Sequence, residues 1–433
     1  MSKPNVTVVG AGLAGAEAAY RLATRGYPVT LYEMKPYKRT PAHKCDGFAE
    51  LVCSNSLRSD RLENAVGLLK EEMRTLGSLV MEAADATRVP AGGALAVDRE
   101  GFSAYITDAL QACANITVVH EEATALPNGP AIVATGPLTS DAMSEAIERR
   151  FGASLHFYDA AAPIVTYDSL EHDRIFAASR YDRGSDYLNC PMTRDEYFAF
   201  YRALVEAETA PLHSFETPRV FEGCMPVEVM AKRGELTLAY GPLKPVGLTF
   251  NGVRPFAVVQ LRRDNADGSL YNIVGFQTNL KFSEQKRVFG MIPGLAHAEY
   301  ARYGVMHRNT FLQSPKLLRF DYSLKDDPLL CFAGQMTGVE GYIESAASGL
   351  LAAIELIEKL EGREPIDFTS ATAIGALGHY VSEYNGGDFQ PMNVTFGIMD
   401  PLSERVRSKQ ERGQKLSERA LLRVRDIAQR LSR

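Results

Sequence analysis

The stretch Val6-Thr7-Val8-Val9-Gly10-Ala11-Gly12-Leu13-Ala14-Gly15 constrains this chain more than any other. A β-branched strand runs into glycines at G-x-G-x-x-G spacing. A helical pattern follows, with Leu13, Ala16, Ala19, Tyr20 and Ala23 on one side and Gly26 as its stop. The physical need is specific. One glycine turns the chain tightly, one lets backbone approach a pyrophosphate, and one lets the helix pack on the strand. The helix N-terminus then offers N–H groups and partial positive charge to the phosphate. Pro28 to Tyr32 reads as the next strand, and Glu33 closes it 18 residues past Gly15, where a carboxylate holds a pair of ribose hydroxyls. A glycine triad alone is a weak signal, but this context and the distant acid point to a dinucleotide. It would be held by Gly10, Ala11, Gly12, Leu13, Ala14, Gly15 and Glu33.

With 433 residues the chain has room for two or three domains, and 45% hydrophobic with 23% charged residues is an ordinary globular balance. No apolar run approaches the ~18 residues of a membrane span. The N-terminus enters a strand directly, without a targeting pattern, so a cytoplasmic protein with no membrane partner is expected. Six cysteines show no C-x-x-C spacing and no accompanying histidine cluster. Free thiols are expected, with neither a metal site nor a disulfide framework.

Further along, the pattern predicts a helix around 63–77, a short strand after Pro90, a helix over 99–113, a strand at 116–120 and a buried strand over Ala131–Gly136 running into a turn. From about 155 the strand–helix alternation gives way to short strands, aromatic residues and turn pairs such as Asn251-Gly252 and Asp267-Gly268. A buried strand resumes at Leu329–Gly334, and a long helix continues through Leu360. The expected fold class is α/β: a discontinuous Rossmann-type nucleotide-binding domain (1–154 and 326–433) with an inserted α+β domain (155–325). Residues 401–433 carry ten Lys and Arg against four Asp and Glu, a basic helix on an otherwise acidic chain of net charge −6. Such a tail permits a polyanionic partner without demanding one.

Ala131-Ile-Val-Ala-Thr-Gly136 resembles the "ATG" segment of two-dinucleotide flavoproteins, and Leu330 to Ser345 resembles their C-terminal flavin segment. These likenesses favour FAD as the resident cofactor and add Gly136, Gly334, Gln335, Gly341 and Tyr342 to the cofactor-binding set. Because no second complete glycine fingerprint exists, NADH or NADPH is expected only as a visitor.

Longer blocks carry a closer resemblance. They are Glu50-Leu-Val-Cys53-Ser-Asn-Ser-Leu57, Asn64 to Lys70, Arg88 to Phe102, Phe221-Glu-Gly-Cys224-Met-Pro-Val-Glu228, Gly241 to Leu248 and Gly338-Val-Glu-Gly-Tyr342. Together they resemble the folate- and FAD-dependent tRNA (uracil-5-)-methyltransferases, called TrmFO, from Val6 to about Asn393. The related GidA-type enzymes share the flavin segments but are longer.

The resemblance implies transfer of a carbon unit from 5,10-methylenetetrahydrofolate to C5 of the T-loop uridine of tRNA, with reduced flavin as reductant and NAD(P)H restoring it. It maps Cys53 and Cys224 onto the family's functional thiols. Uracil C5 is a poor nucleophile, and a thiolate adding to C6 turns C5 into an enolate carbon. We assign that attack to Cys224 and an acid/base or flavin-side role to Cys53. The plainer reading of each is a loop cysteine. Cys45 reads as incidental, and Cys113, Cys190 and Cys331 as packing.

Tyr342 is expected to stack on or shield the flavin, or else to be a core aromatic. His307, Arg99 and Arg287 are candidates for folate or RNA contact. Arg254, Arg262, Arg263, Lys281 and Lys286 are further candidates for RNA phosphates, a salt-sensitive interaction. Methylation of an rRNA uridine, a small-molecule flavin oxidoreductase and a non-catalytic RNA-binding role stand as alternatives. Oligomeric state is not legible.

Overall fold

The structure, a computed structural model, describes residues 3–40, 42–152, 155–182, 184–210, 225–386 and 389–431. Its first layer is a five-stranded, wholly parallel sheet. In spatial order the strands are Leu330–Phe332, Ala131–Val133, Val6–Val9, Val29–Tyr32 and Ile116–Val119. The strand from residue 330 pairs beside one from residue 131, so the sheet is completed by chain that returns after a long excursion.

Helix Leu13–Thr24 is alanine-rich, which favours helix. It ends where Gly26 takes φ +79°, with Tyr27 N–H donating to Leu22 O and Gly26 N–H to Ala23 O. Helix Tyr342–Leu360 packs against it so closely that a Cβ at Gly349 would overlap the carbonyl oxygen of Ala14. The helix expected over 63–77 is Ala65–Thr75, and a second, unexpected helix, Leu79–Ala86, follows it. Gly77 at φ +76° ends the first, and the Ser78 side chain caps the second by accepting from Met81 N–H.

Between the two parts of the parallel sheet lies a six-stranded antiparallel sheet. Its order is Phe176–Ala177, Tyr187–Met192, Ala257–Arg263, Leu270–Ile273, Ile164–Thr166, Tyr300–Arg302. Asp267-Gly268 sits in the hairpin expected there. Strands Leu155–Ala160 and Met306–Phe311 pair where the chain enters and leaves this region. Two large apolar cores result. One joins residues 6–147 to 311–431, and the other gathers residues between 165 and 295. The C-terminal helix Lys409–Leu431 buries Ala420, Leu421, Val424 and Ile427 in the first core and leaves Arg423, Arg425 and Arg430 outside. No helix is long and apolar enough to cross a membrane among the described residues.

Three glutamates are buried beside the first core as acceptors of backbone N–H groups, two of them at helix starts. Glu17 accepts from Ser78 Oγ, Leu79 N–H and Val80 N–H. Glu72 accepts from Ala373 and Ile374 N–H, each at 2.8 Å, and Glu355 from Ile366 N–H. Burial pushes Glu17 up to about 7, and Glu72 and Glu355 up to about 8, from an ordinary 4.5. Between 4.5 and those values the folded chain keeps protons that the unfolded chain has released, so stability falls as pH rises. Lys70, pushed down to about 7 by burial, works the opposite way but only above that pH. The melting temperature is therefore expected to fall from about pH 5 to about pH 7. Glu72→Gln, which cannot ionise, should flatten that fall while costing about 1 kcal/mol in hydrogen bonding. A melting temperature that rises over this range, or a slope untouched by Glu72→Gln, contradicts the account.

Candidate active site

The nucleotide end of the site is built by the first strand, its glycine turn and the first helix. Gly10 lies at φ +95°, and a Cβ there would press on the carbonyl of Ala134. A Cβ on Gly15 would overlap the carbonyl oxygen of Gly10, whereas at Gly12 it would meet nothing within 4 Å. Two of the glycines thus serve chain packing, and the middle one leaves room for an approaching ligand. The amides at the start of the helix receive no side-chain cap. Leu13 and Ala14 are buried in its first turn. The Glu33 carboxylate accepts from Ala11 N–H and Lys35 N–H at 3.0 Å each, which holds it at the cavity lined by Gly10, Gly12, Glu33, Ala134 and Thr135. Gly136, at φ +72°, opens toward free space just beyond.

The second segment repeats the arrangement. After strand Leu330–Phe332, Gly334 and Gly338 adopt φ +85° and +88°, and Gly341 at φ +114° starts helix Tyr342–Leu360 without a side-chain cap. Gln335 donates to Glu340 Oε2, which ties down the turn. Glu344 is fully buried in the first turn of the helix, paired through Oε1 with Arg58 and Val394 N–H. Its Oε2, beside Gly341, has no hydrogen-bond partner among the described residues. Two uncapped helix starts, a carboxylate at a strand end and an orphaned buried acceptor fit a dinucleotide with hydroxyl and N–H donors. The residues present therefore suit FAD.

Cys53 meets this segment directly. Its amide and that of Ser54 donate to the Tyr342 hydroxyl at 2.7 and 3.2 Å, and its Sγ lies 3.6 Å from Ala160 O. Burial raises the Tyr342 phenol, so it stays protonated. Residues 289 apart in sequence are thereby joined. The Tyr342 hydroxyl thus anchors the cysteine loop.

Cys224 lies outside the described residues. His307 lies in strand Met306–Phe311, opposite Asp159. Arg99, the first residue of helix Arg99–Ala112, forms a fork with Asp264 at 2.9 and 3.1 Å and donates to Leu51 O. It lines a cleft of about 810 Å³ that also includes Phe282, Tyr300, Arg302 and Tyr303. Tyr303 stacks with Phe282 at 4.5 Å and with Tyr300 at 4.9 Å between ring centres. This aromatic wall was not foreseen, although Tyr300-Ala-Arg-Tyr303 carries its signal in the sequence.

The proposed RNA-contacting arginines divide. Arg287 is exposed but paired with Glu284 one helical turn back, and Lys281 pairs with Glu208. Arg254 is exposed. Arg262 is only 7% exposed and bonds to Ser54 Oγ and Asn55 Oδ1, so it is not a surface phosphate contact. In strand Ala257–Arg263 the alternate residues Gln260 and Arg262 point away from the second core, Gln260 to Asn189 on the next strand and Arg262 to the cysteine loop. Cys190 and Cys331 are fully buried, and burial raises both thiols, Cys331 to about 12. Cys45 lines the large cleft.

A family model described as glucose inhibited division protein A matches residues 5–364. The chain is 58% identical over 430 residues to the methylenetetrahydrofolate–tRNA-(uracil-5-)-methyltransferase TrmFO of Bacillus licheniformis, covering 98% of this chain and 99% of that one. It is 61% identical to the protein of the same name from Heliobacterium modesticaldum, covering 96% of each. Among solved structures, Aquifex aeolicus GidA superposes with a TM-score of 0.72 at 16% identity, covering 99% of this chain and 73% of that chain. That last likeness speaks to fold alone.

Proposed function

The chain belongs to the TrmFO family, a relative of glucose inhibited division protein A, and on that premise we propose that it methylates uridine C5 in tRNA with a carbon from methylenetetrahydrofolate. The observation that carries this reading is identity near 60% over essentially the whole of both chains. Bound FAD would supply the reducing equivalents that complete the methyl group, with NADH or NADPH renewing them. Gly10 to Gly15, Glu33, Gly136 and the Gly334–Tyr342 segment are the residues that would hold it.

The chain's own chemistry follows from the uridine. The Cys224 thiolate adds to C6, and C5 gains the electron density to attack the one-carbon unit. A base then takes the C5 proton, and loss of the sulfur restores the ring. Cys53 is the acid/base group beside the flavin segment, and support comes from its anchorage on Tyr342. The cleft walled by Phe282, Tyr303 and Tyr300, with Arg99 and Arg302 at its side, suits a flat conjugated ring such as a pterin. The division at residues 155 and 325 belongs to the same reading, supported by the two separate cores. The RNA would reach the exposed basic face of the C-terminal helix, and the target base would leave its stack to enter.

The finer substrate is the T-loop uridine of tRNA. Mass mapping of 5-methyluridine in tRNA and rRNA, with and without this gene, tests it. Loss from the T-loop alone is the expected result. Loss from rRNA alone favours the rRNA alternative, and no loss from either removes methylation.

A further inference from the structure

The segment Leu51–Asn55 is gripped almost residue by residue by three guanidinium groups. Arg99 donates to Leu51 O, Arg302 to Val52 O, and Arg262 to Ser54 Oγ at 2.7 Å and Asn55 Oδ1 at 3.1 Å. Cys53, in the middle, hangs by its amide from Tyr342. The three arginines come from a helix start and from two strands of the antiparallel sheet.

Their charges are not balanced. Asp264 matches Arg99. Among the described residues no carboxylate lies within ion-pair reach of Arg262 or Arg302. The Arg262 acceptors are the neutral Ser54, Asn55 and Asn272, and those of Arg302 are carbonyls of Ala42 and Val52. The charged and titratable groups around the loop include Arg99, Arg262, Arg302, Asp264, Tyr342, Tyr187, His43 and Lys35, with Glu50 beside the loop itself. Glu50 is taken by Lys35 and by the amides of Lys44 and Cys45. Asp264 attracts Arg262 as well as Arg99, and Glu50 attracts Arg302, but three guanidiniums and Lys35 outnumber these two carboxylates; a buried Arg262 and a partly buried Arg302 close to one partly exposed sulfur favour an anion there.

We propose that Arg262 and Arg302 are positioning residues that fix the Cys53 loop and hold the Cys53 sulfur as a thiolate. The inference rests on the reading of Cys53 as a working thiol, but its test does not depend on methyl transfer. A thiolate next to arginine is favoured and alkylates at lower pH than a free thiol, which titrates near about 8.5. The consequence for the enzyme is that the inserted sheet, which carries both arginines, must dock correctly before the thiol becomes reactive.

The experiment is the pH profile of Cys53 alkylation by iodoacetamide in the FAD-loaded protein, read peptide by peptide by mass spectrometry. Cys190 and Cys331, both buried, report any unfolding. Wild type is expected to alkylate at Cys53 with a midpoint below the free-thiol value. Arg302→Gln and Arg262→Gln should each raise that midpoint by about one unit and slow labelling near neutral pH about tenfold. Arg262→Lys, keeping the charge, should restore most of the shift. If Arg262→Gln labels at Cys190 and so has lost its fold, Arg302→Gln decides the matter, because that side chain is only partly buried. A wild-type midpoint at or above the free-thiol value, or midpoints unmoved in Arg302→Gln, overturns the proposal. If the arginine variants shift the midpoint while Cys53→Ala methylates RNA normally, the charge device stands and the functional reading of Cys53 falls.

Discussion

Gly15→Ala is expected to yield a protein with no yellow colour and a much lowered melting temperature. The added methyl has no space, because it would overlap the carbonyl oxygen of Gly10 in the turn that precedes it. Either the first helix moves off the sheet or the turn opens, and both spoil the floor of the nucleotide site. Such overpacking costs about 1–3 kcal/mol and sometimes more. The helix concerned is also packed backbone to backbone against helix Tyr342–Leu360 at Gly349, so it has little freedom to yield. Flavin content should drop below about a tenth of wild type. Gly12→Ala supplies the contrast. Gly12 sits at φ −72°, ψ −172°, a conformation any residue adopts, and its Cβ would point into empty space. The apoprotein should melt close to wild type, while flavin affinity falls, because the methyl stands where the pyrophosphate must come. Absorbance at the flavin band per chain, with differential scanning calorimetry of both apoproteins, checks the pair. A Gly15→Ala protein with full flavin and unchanged melting would refute the packing argument. Equal loss of melting temperature in both variants would refute the division of labour among the glycines.

That contrast also marks what could be read before folding. The glycine triad and Glu33 were legible because the strand–turn–helix–strand pattern that carries them is continuous in sequence. The helix ending at 77 was legible, but the one after it, Leu79–Ala86, was not expected, although glycine followed by serine is a stop followed by a cap. Arg262 shows a different limit. The alternation Val259, Gln260, Leu261, Arg262 announces a strand with one polar face, but polar faces look alike whether they meet water or another part of the chain. Only the fold turns that face onto Ser54 and Asn55. The same holds for the meeting of Cys53 with Tyr342 and for the stack of Phe282 on Tyr303. No periodicity links residues so far apart, and the resemblance between families carried the cysteines where spacing could not.

Replacing the two thiols should separate their roles by kind as well as by size. If Cys224 forms the bond to uracil C6, Cys224→Ala leaves C5 without its enolate. Methyl transfer should then collapse by about 10⁴-fold or more, as when a covalent nucleophile is removed. If Cys53 only moves a proton, Cys53→Ala should cost about 10²–10⁴-fold, the usual worth of a positioned acid or base. Rate alone leaves these ranges touching, so the decisive readout is covalent. An RNA carrying 5-fluorouracil at the target has no C5 proton to lose and stalls after the sulfur has added. Wild type and Cys53→Ala should retain such an RNA through denaturing electrophoresis, and Cys224→Ala should not. The Cys53 variant should still bind flavin, because its loop hangs on the backbone amides of residues 53 and 54 and on arginine bonds to Leu51 O, Val52 O and Ser54 Oγ, all of which survive the substitution. The reverse pattern, an adduct lost in Cys53→Ala and kept in Cys224→Ala, would exchange the two assignments. An adduct and full turnover in both variants would mean that neither sulfur attacks the base, and the chemistry of C6 activation would have to come from another residue.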